Sequence, residues 1–251
     1  MEQLNKIVGI RKYPKWFSEE EISLILKQIL TCEDYWKKKG YADWGKFFRF
    51  RDFTLISTIY ILALRPNEAC CLKFTDFDWK HSILRIRGET NKTKKDSPPI
   101  PVPKLLLEIY KEYFKFPHRR FWRGSKYLFP SFENDHISSG RLKTIMREKI
   151  LKPLDLWELP DGAIGKLRTT YRLRHSRARH IRNNQMRNYG MVDIFAIANI
   201  MRHADIRSTM VYNTDGDEID DEGMKYLREQ VEIPIQKVYP VIGRKPSYVV
   251  V

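Results

Sequence analysis

Residues 52–69 read DFTLISTIYILALRPNEA. Asp52 to Leu64 form an apolar segment long enough for a buried helix, yet well short of the roughly 18 apolar residues that a membrane span requires. Arg65 ends the segment. Pro66 suits the first position of a further helix through Leu72, because its missing N–H is a donor that a helix start leaves unpaired anyway. Upstream, Ser18-Glu19-Glu20-Glu21 supplies a capping box, and Ile22, Ile25, Leu26, Ile29 and Leu30 recur on one helical face that must pack on something. Between Thr31 and Arg51 the chain turns polar and aromatic, and it includes the run Lys37-Lys38-Lys39.

Downstream, Ile83 to Arg87 alternates as a strand does. Pro99 to Val102 can pair with it only at an edge, since proline lacks the ladder donor. Residues 88–97 (GETNKTKKDS) then become a hairpin loop. Helices are expected over Pro103 to Phe116, Ser139 to Leu151, Leu173 to Met186, Val192 to Met201 and Ile206 to Asn213. Gly162 and Gly165 punctuate a loop. An acidic helix around Glu218 to Glu229 and a strand-like tail ending SYVVV close the chain. There is no internal repeat, and the simplest description is α+β: one mainly helical domain with a small antiparallel sheet.

The 251 residues are 42% apolar, enough for a real core. Against 31 acidic residues stand 46 Lys plus Arg, a formal net charge of +15. A folded, basic chain points to a polyanionic partner, nucleic acid or an anionic membrane surface. No spanning segment or signal peptide is readable, so a cytoplasmic location and no membrane association are expected. Cys32, Cys70 and Cys71 are too few and wrongly spaced for a disulfide framework or a zinc site, and the histidines form no ligand pair. No metal and no cofactor are expected.

The positive charge is concentrated. Lys166, Arg168, Arg172, Arg174, Arg177, Arg179, Arg182 and Arg187 fall within 22 residues that contain no acid. Such a run can be a solvated helix face, but like charges at i, i+4 oppose helix formation unless an anion neutralises them. Arginine's planar fork suits phosphate, so a DNA or RNA backbone would fit.

Four segments together resemble the tyrosine recombinases, the phage-integrase and Xer-like enzymes. Leu64-Arg65-Pro66-Asn67-Glu68-Ala69 with Leu72 and Asp76 is similar to the first box, GLRxxEhxxLxxxD. Asn91-Lys92-Thr93-Lys94 ahead of Ile100-Pro101 matches the hairpin lysine. Tyr171-Arg172-Leu173-Arg174-His175-Ser176 looks like the second box, HxLRH. Met201-Arg202-His203 with Tyr212 resembles LGHxxxxTTxxYxx. Any one box is weak, whereas four in order are hard to obtain by accident. The resemblance runs from about Pro14 to about Leu227.

The chemistry is consistent with these residue types. Breaking a phosphodiester without metal requires a nucleophile, cations that balance transition-state charge, and an acid for the departing oxygen. Tyr212 can be the nucleophile, with a cationic pocket favouring its ionised form. Arg65 and Arg174 would clamp the non-bridging oxygens. The resemblance implies a covalent 3′-phosphotyrosine, Lys92 as the acid for the 5′-oxygen with Lys94 next in line, and His203 hydrogen-bonded to phosphate. Glu68 can orient a basic side chain, and His175 matches the residue beside the active arginine. Lys94, Lys95, Lys166, Arg168, Arg172, Arg177, Arg179 and Arg202 are the expected DNA-backbone contacts.

The chain departs from the pattern in places. Tyr171 stands where His or Lys is usual; it can donate a hydrogen bond to phosphate but cannot serve as an imidazole base. Arg202 replaces the usual Gly before His203, which adds a phosphate contact or reflects a different turn. The resemblance implies a lead-in at 1–17, a catalytic domain at 18–231 and a tail at 232–251 that can pack on a neighbouring protomer. The family's N-terminal core-binding domain has no counterpart in the chain. Either a catalytic fragment or a compact variant results. The implied partners are double-stranded DNA attachment sites and a homotetramer on paired sites, with a monomer allowed away from DNA. Two other functions fit the same residues: a type IB topoisomerase-like relaxation, and a non-catalytic DNA-binding module.

Overall fold

The computed structural model describes residues 16–32, 42–90, 94–117, 124–132, 134–157, 170–203 and 205–210. Helix α1, Glu19–Thr31, starts where the capping box predicts: Ser18 Oγ accepts the Glu21 amide at 3.1 Å while Glu21 Oε2 accepts the Ser18 amide at 2.8 Å. Its buried face is Ile22, Ile25, Leu26 and Ile29. Helix α2, Ala42–Ile61, is the central element, and packs against α1 and three later helices. It begins well before the apolar run. Phe47, Phe48 and Phe50 are buried against Tyr113, Phe116 and Phe132, so aromatic packing extends the helix through a stretch whose sequence looks irregular.

Two buried threonines inside α2 are satisfied locally. Thr54 Oγ1 donates to the Phe50 carbonyl at 2.8 Å and Thr58 Oγ1 to the Thr54 carbonyl at 2.7 Å, the back-bonding that lets threonine sit in a buried helix. Arg51 pairs with Asp52 at 2.7 Å and donates to the Pro130 carbonyl at 2.8 Å. After Ile61 the chain reverses through Ala63, at φ 47°, and enters α3, Pro66–Cys70, with proline in its first turn as expected.

Strands β1 (Phe77–Asp78), β2 (Ile83–Leu84) and β3 (Ile100–Pro101) form an antiparallel sheet in the order β1-β2-β3. The predicted hairpin is the β2/β3 pair, with Ile83 opposite Pro101 and Leu84 opposite Ile100, and proline lies on the edge strand. Strand β1 was not expected from the sequence. The hairpin neck is tight: Gly88 N–H donates to Asp96 Oδ1 at 2.6 Å, and a Cβ at Gly88 would lie 2.8 Å from the Lys94 carbonyl oxygen.

Helix α4 is Lys104–Lys115; α5, Ser139–Ile145, is capped by Ser138 and runs on as a π-helical turn over Met146–Leu151. Helix α6, Tyr171–Tyr189, ends at Gly190 in the left-handed conformation (φ 70°) that glycine adopts without penalty. Helix α7, Ile194–Met201, is capped by Asp193, and the short α8, Arg207–Met210, follows. Both α6 and α8 fall within or overlap the expected spans. The Gly162/Gly165 loop, the acidic helix and the SYVVV tail lie outside the described residues. Among the described residues no helix is long and apolar enough to cross a membrane.

Candidate active site

The site forms where the turn after α2, the start of α6 and the end of α7 meet. Arg65 caps α3 with its backbone: its amide donates to Glu68 Oε2 at 2.8 Å, and its Nη1 donates to Glu68 Oε1 at 2.6 Å. The Glu68 side chain is 1% exposed while that of Arg65 is 20% exposed, so the carboxylate is held inside and the guanidinium reaches the surface. Burial opposes the charge on Glu68. Arg202 first, then the amide and guanidinium of Arg65, outweigh it and hold this carboxyl below its ordinary value.

Arg174, in the first turn of α6, is fully buried. Its Nη1 donates to the Ala63 carbonyl and its Nη2 to the Met201 carbonyl, which ties α6 to the ends of α2 and α7. The buried Nε–H has no partner among the described residues. Burial, followed by the charges of Arg202 and Arg65, pushes this guanidinium down to about 10, so it remains protonated at neutral pH. A buried cation with an unused donor and cationic neighbours is costly until an anion arrives. The first turn of α6 contains no acid, and the helix N-terminus adds further positive potential.

His203 follows the α7 terminus and is half-buried, with Nδ1 2.8 Å from Thr209 Oγ1. Burial, then Arg174, Arg65, His175 and Arg202, push it down to about 4, so it is neutral at pH 7. In the tautomer whose Nδ1 accepts from the Thr209 hydroxyl, the ring proton sits on Nε2, where it can be offered to an oxygen of a bound phosphate. Thr209 was not among the expected residues. Ser208-Thr209 occupies the position of the paired threonines in the pattern quoted above, which was the available signal. Tyr171 is exposed and meets His175 edge-on, ring centroids 4.9 Å apart, at the same helix start.

The structure therefore brings together Arg65, Glu68, Tyr171, Arg174, His175 and His203. Lys92 and Tyr212, expected as acid and nucleophile, lie outside the described residues, as do Lys166 and Arg168. Lys94 and Lys95 are exposed at the hairpin neck, and Arg172 is half-buried on α6. Three of the expected backbone contacts meet partners within the protein. Arg177 is buried over the Tyr60 ring at 5.9 Å, Arg179 covers Trp16 at 4.7 Å, and Arg202 turns inward onto Glu68 at 3.1 Å. In each case a partner distant in sequence claims the guanidinium.

A mainly helical domain with a three-stranded sheet and an arginine cluster at its helix junction is the catalytic fold of tyrosine recombinases. Solved structures share it: the XerH site-specific recombinase bound to its difH substrate (TM-score 0.58, 20% identity, 80% of this chain and 50% of that one) and the XerA recombinase (TM-score 0.56, 18% identity, 97% and 73%). The phage integrase family model matches residues 15–218, and the chain belongs to that family. Among curated relatives, tyrosine recombinase XerA of Pyrococcus furiosus is 30% identical over 219 residues, 87% of this chain and 61% of the relative. XerA of Thermococcus onnurineus is 30% identical over 205 residues, 80% and 58%. The chain thus spans about three-fifths of the length of these relatives.

Proposed function

We propose that this protein is a site-specific recombinase that cuts and rejoins double-stranded DNA through a covalent 3′-phosphotyrosine, with residues 18–231 as its catalytic domain. Tyr212 attacks the scissile phosphorus as a phenolate, the bond to the 5′-oxygen breaks, and Lys92 protonates that oxygen. Reversal of these steps on a second 5′-hydroxyl rejoins the strand. Arg65 and Arg174 balance the charge of the pentavalent phosphate, and neutral His203 donates a hydrogen bond to it. The charge stabilisation that a metal could supply is assigned here to guanidinium groups.

The convergence of Arg65, Arg174 and His203 from three separate segments onto one junction, around a single buried carboxylate, carries the reading. Exposed Lys94 and Lys95 would track the flanking backbone. On paired sites four copies would assemble, with the acidic segment and tail after Tyr212 packing on a neighbour. The reaction would take place in the cytoplasm with the host DNA.

The test uses nicked duplexes tiled across the DNA that flanks the protein's own gene. An SDS-resistant protein–DNA adduct should form with wild-type protein, persist in EDTA and be lost in Tyr212→Phe. No adduct with wild type, or the same adduct with Tyr212→Phe, overturns the proposal.

A further inference from the structure

Arg202 ends α7 in a left-handed turn, φ 49° and ψ 47°, a conformation that non-glycine residues adopt at a cost. From there its guanidinium reaches back across the helix junction. Nη1 donates to the Ile200 carbonyl at 3.1 Å and the Leu62 carbonyl at 3.2 Å; Nη2 donates to the Ala63 carbonyl at 3.0 Å and Glu68 Oε2 at 3.1 Å. Two of these acceptors are shared. The Ala63 carbonyl also accepts from Arg174, and Glu68 Oε2 also accepts the Arg65 amide. Arg202 therefore has one acceptor in common with each arginine assigned to the scissile phosphate, while its own side chain is only 10% exposed.

We propose that Arg202 is a positioning residue for strand cleavage: by holding the Ala63 carbonyl and the Glu68 carboxylate, it sets where Arg174 and Arg65 present their remaining donors to phosphate. The inference rests on the cleavage reading above. Glu68 is faced by Arg65 from the start of α3, by Arg202 from the end of α7 and by Arg174 from α6. With Arg202 gone, the carboxylate is left to Arg65, which is drawn inward and neutralised. The left-handed turn that aims the next residue, His203, loses its anchor as well. Lysine keeps the charge, but its single ammonium cannot reproduce the fork that reaches Leu62, Ala63 and Glu68 together.

The test compares wild type, Arg202→Gln and Arg202→Lys in three measurements: adduct formation at saturating nicked duplex, DNA affinity over a salt series, and the carbon-13 titration of the Glu68 carboxyl. Arg202→Gln should cleave more slowly by about tenfold or more, the size of effect expected when reacting groups are displaced. Its affinity should hardly change, and Glu68 should titrate at higher pH. Arg202→Lys should restore the Glu68 titration and only part of the rate; it also decides the matter if Arg202→Gln does not fold. An unchanged cleavage rate at saturation overturns the proposal. So does weaker binding with a salt slope reduced by about one, which would assign Arg202 to a DNA phosphate. If wild type itself forms no adduct, the cleavage reading fails alone, and an unmoved Glu68 titration in Arg202→Gln separately overturns the positioning geometry.

Discussion

His203 Nδ1 lies 2.8 Å from the hydroxyl of Thr209, six residues further along the chain, and the charges of Arg174, Arg65 and Arg202 act on the same ring. A bound phosphodiester would neutralise the charges that, with burial, hold His203 near 4, so its pKa must rise on binding. Between the free and bound values the complex takes up a proton, and affinity strengthens as pH falls. In a Tyr212→Phe background, DNA binding at constant salt should tighten from pH 7.5 to pH 5, and adding His203→Gln should flatten that gradient. Identical gradients in the two proteins would contradict the assignment.

A second buried histidine reports on stability rather than binding. His180 Nδ1 is 2.8 Å from the Tyr60 hydroxyl, and burial, then Arg177, push it down to about 4. The unfolded chain, with an ordinary histidine near 6.5, binds this proton first as pH drops, so the folded state loses stability between about pH 6.5 and pH 4. The full loss is on the order of 3 kcal/mol. Urea unfolding at pH 7 and pH 4.5 should show it, and His180→Gln, which cannot titrate, should show a smaller difference between the two.

The hairpin neck gives a prediction about the acid step. A methyl group at Gly88 would lie 2.8 Å from the Lys94 carbonyl oxygen and 3.2 Å from the Lys95 carbonyl carbon, both backbone atoms that cannot swing aside. Gly88→Ala should therefore displace the loop that carries Lys92 and slow adduct formation by about tenfold or more. A substrate with sulfur in place of the 5′-oxygen needs no proton to depart, and should cleave equally fast with wild type and Gly88→Ala. A deficit that persisted on the sulfur substrate would place the defect elsewhere.

Local signals were legible in the sequence and non-local ones were not. The α1 start could be read because Ser18 and Glu21 cap each other within one turn. Proline at 66 and at 101 marked a helix start and a sheet edge because a missing N–H constrains any backbone. The beginning of α2 was obscured because Phe47 and Phe48 owe their helical placement to rings such as Tyr113 and Phe132. Strand β1 was missed because two residues carry no readable alternation.

The site divides in the same way. Arg65, Lys92, Arg174, His203 and Tyr212, the set proposed for phosphoryl transfer, could be picked out in the sequence because they fall at matching places in segments that resemble the family's boxes, and their residue types suit nucleophile, acid and cation. Which protein groups each cation meets is a different matter. Arg177, Arg179 and Arg202 read as further DNA contacts, and in the fold each also meets a partner distant in sequence, Tyr60, Trp16 and Glu68. Charge and residue type are properties of the chain and are set by the sequence alone. Exposure and pairing depend on which side chains the fold brings within a few ångströms, so only the packing of α2, α6 and α7 could decide them.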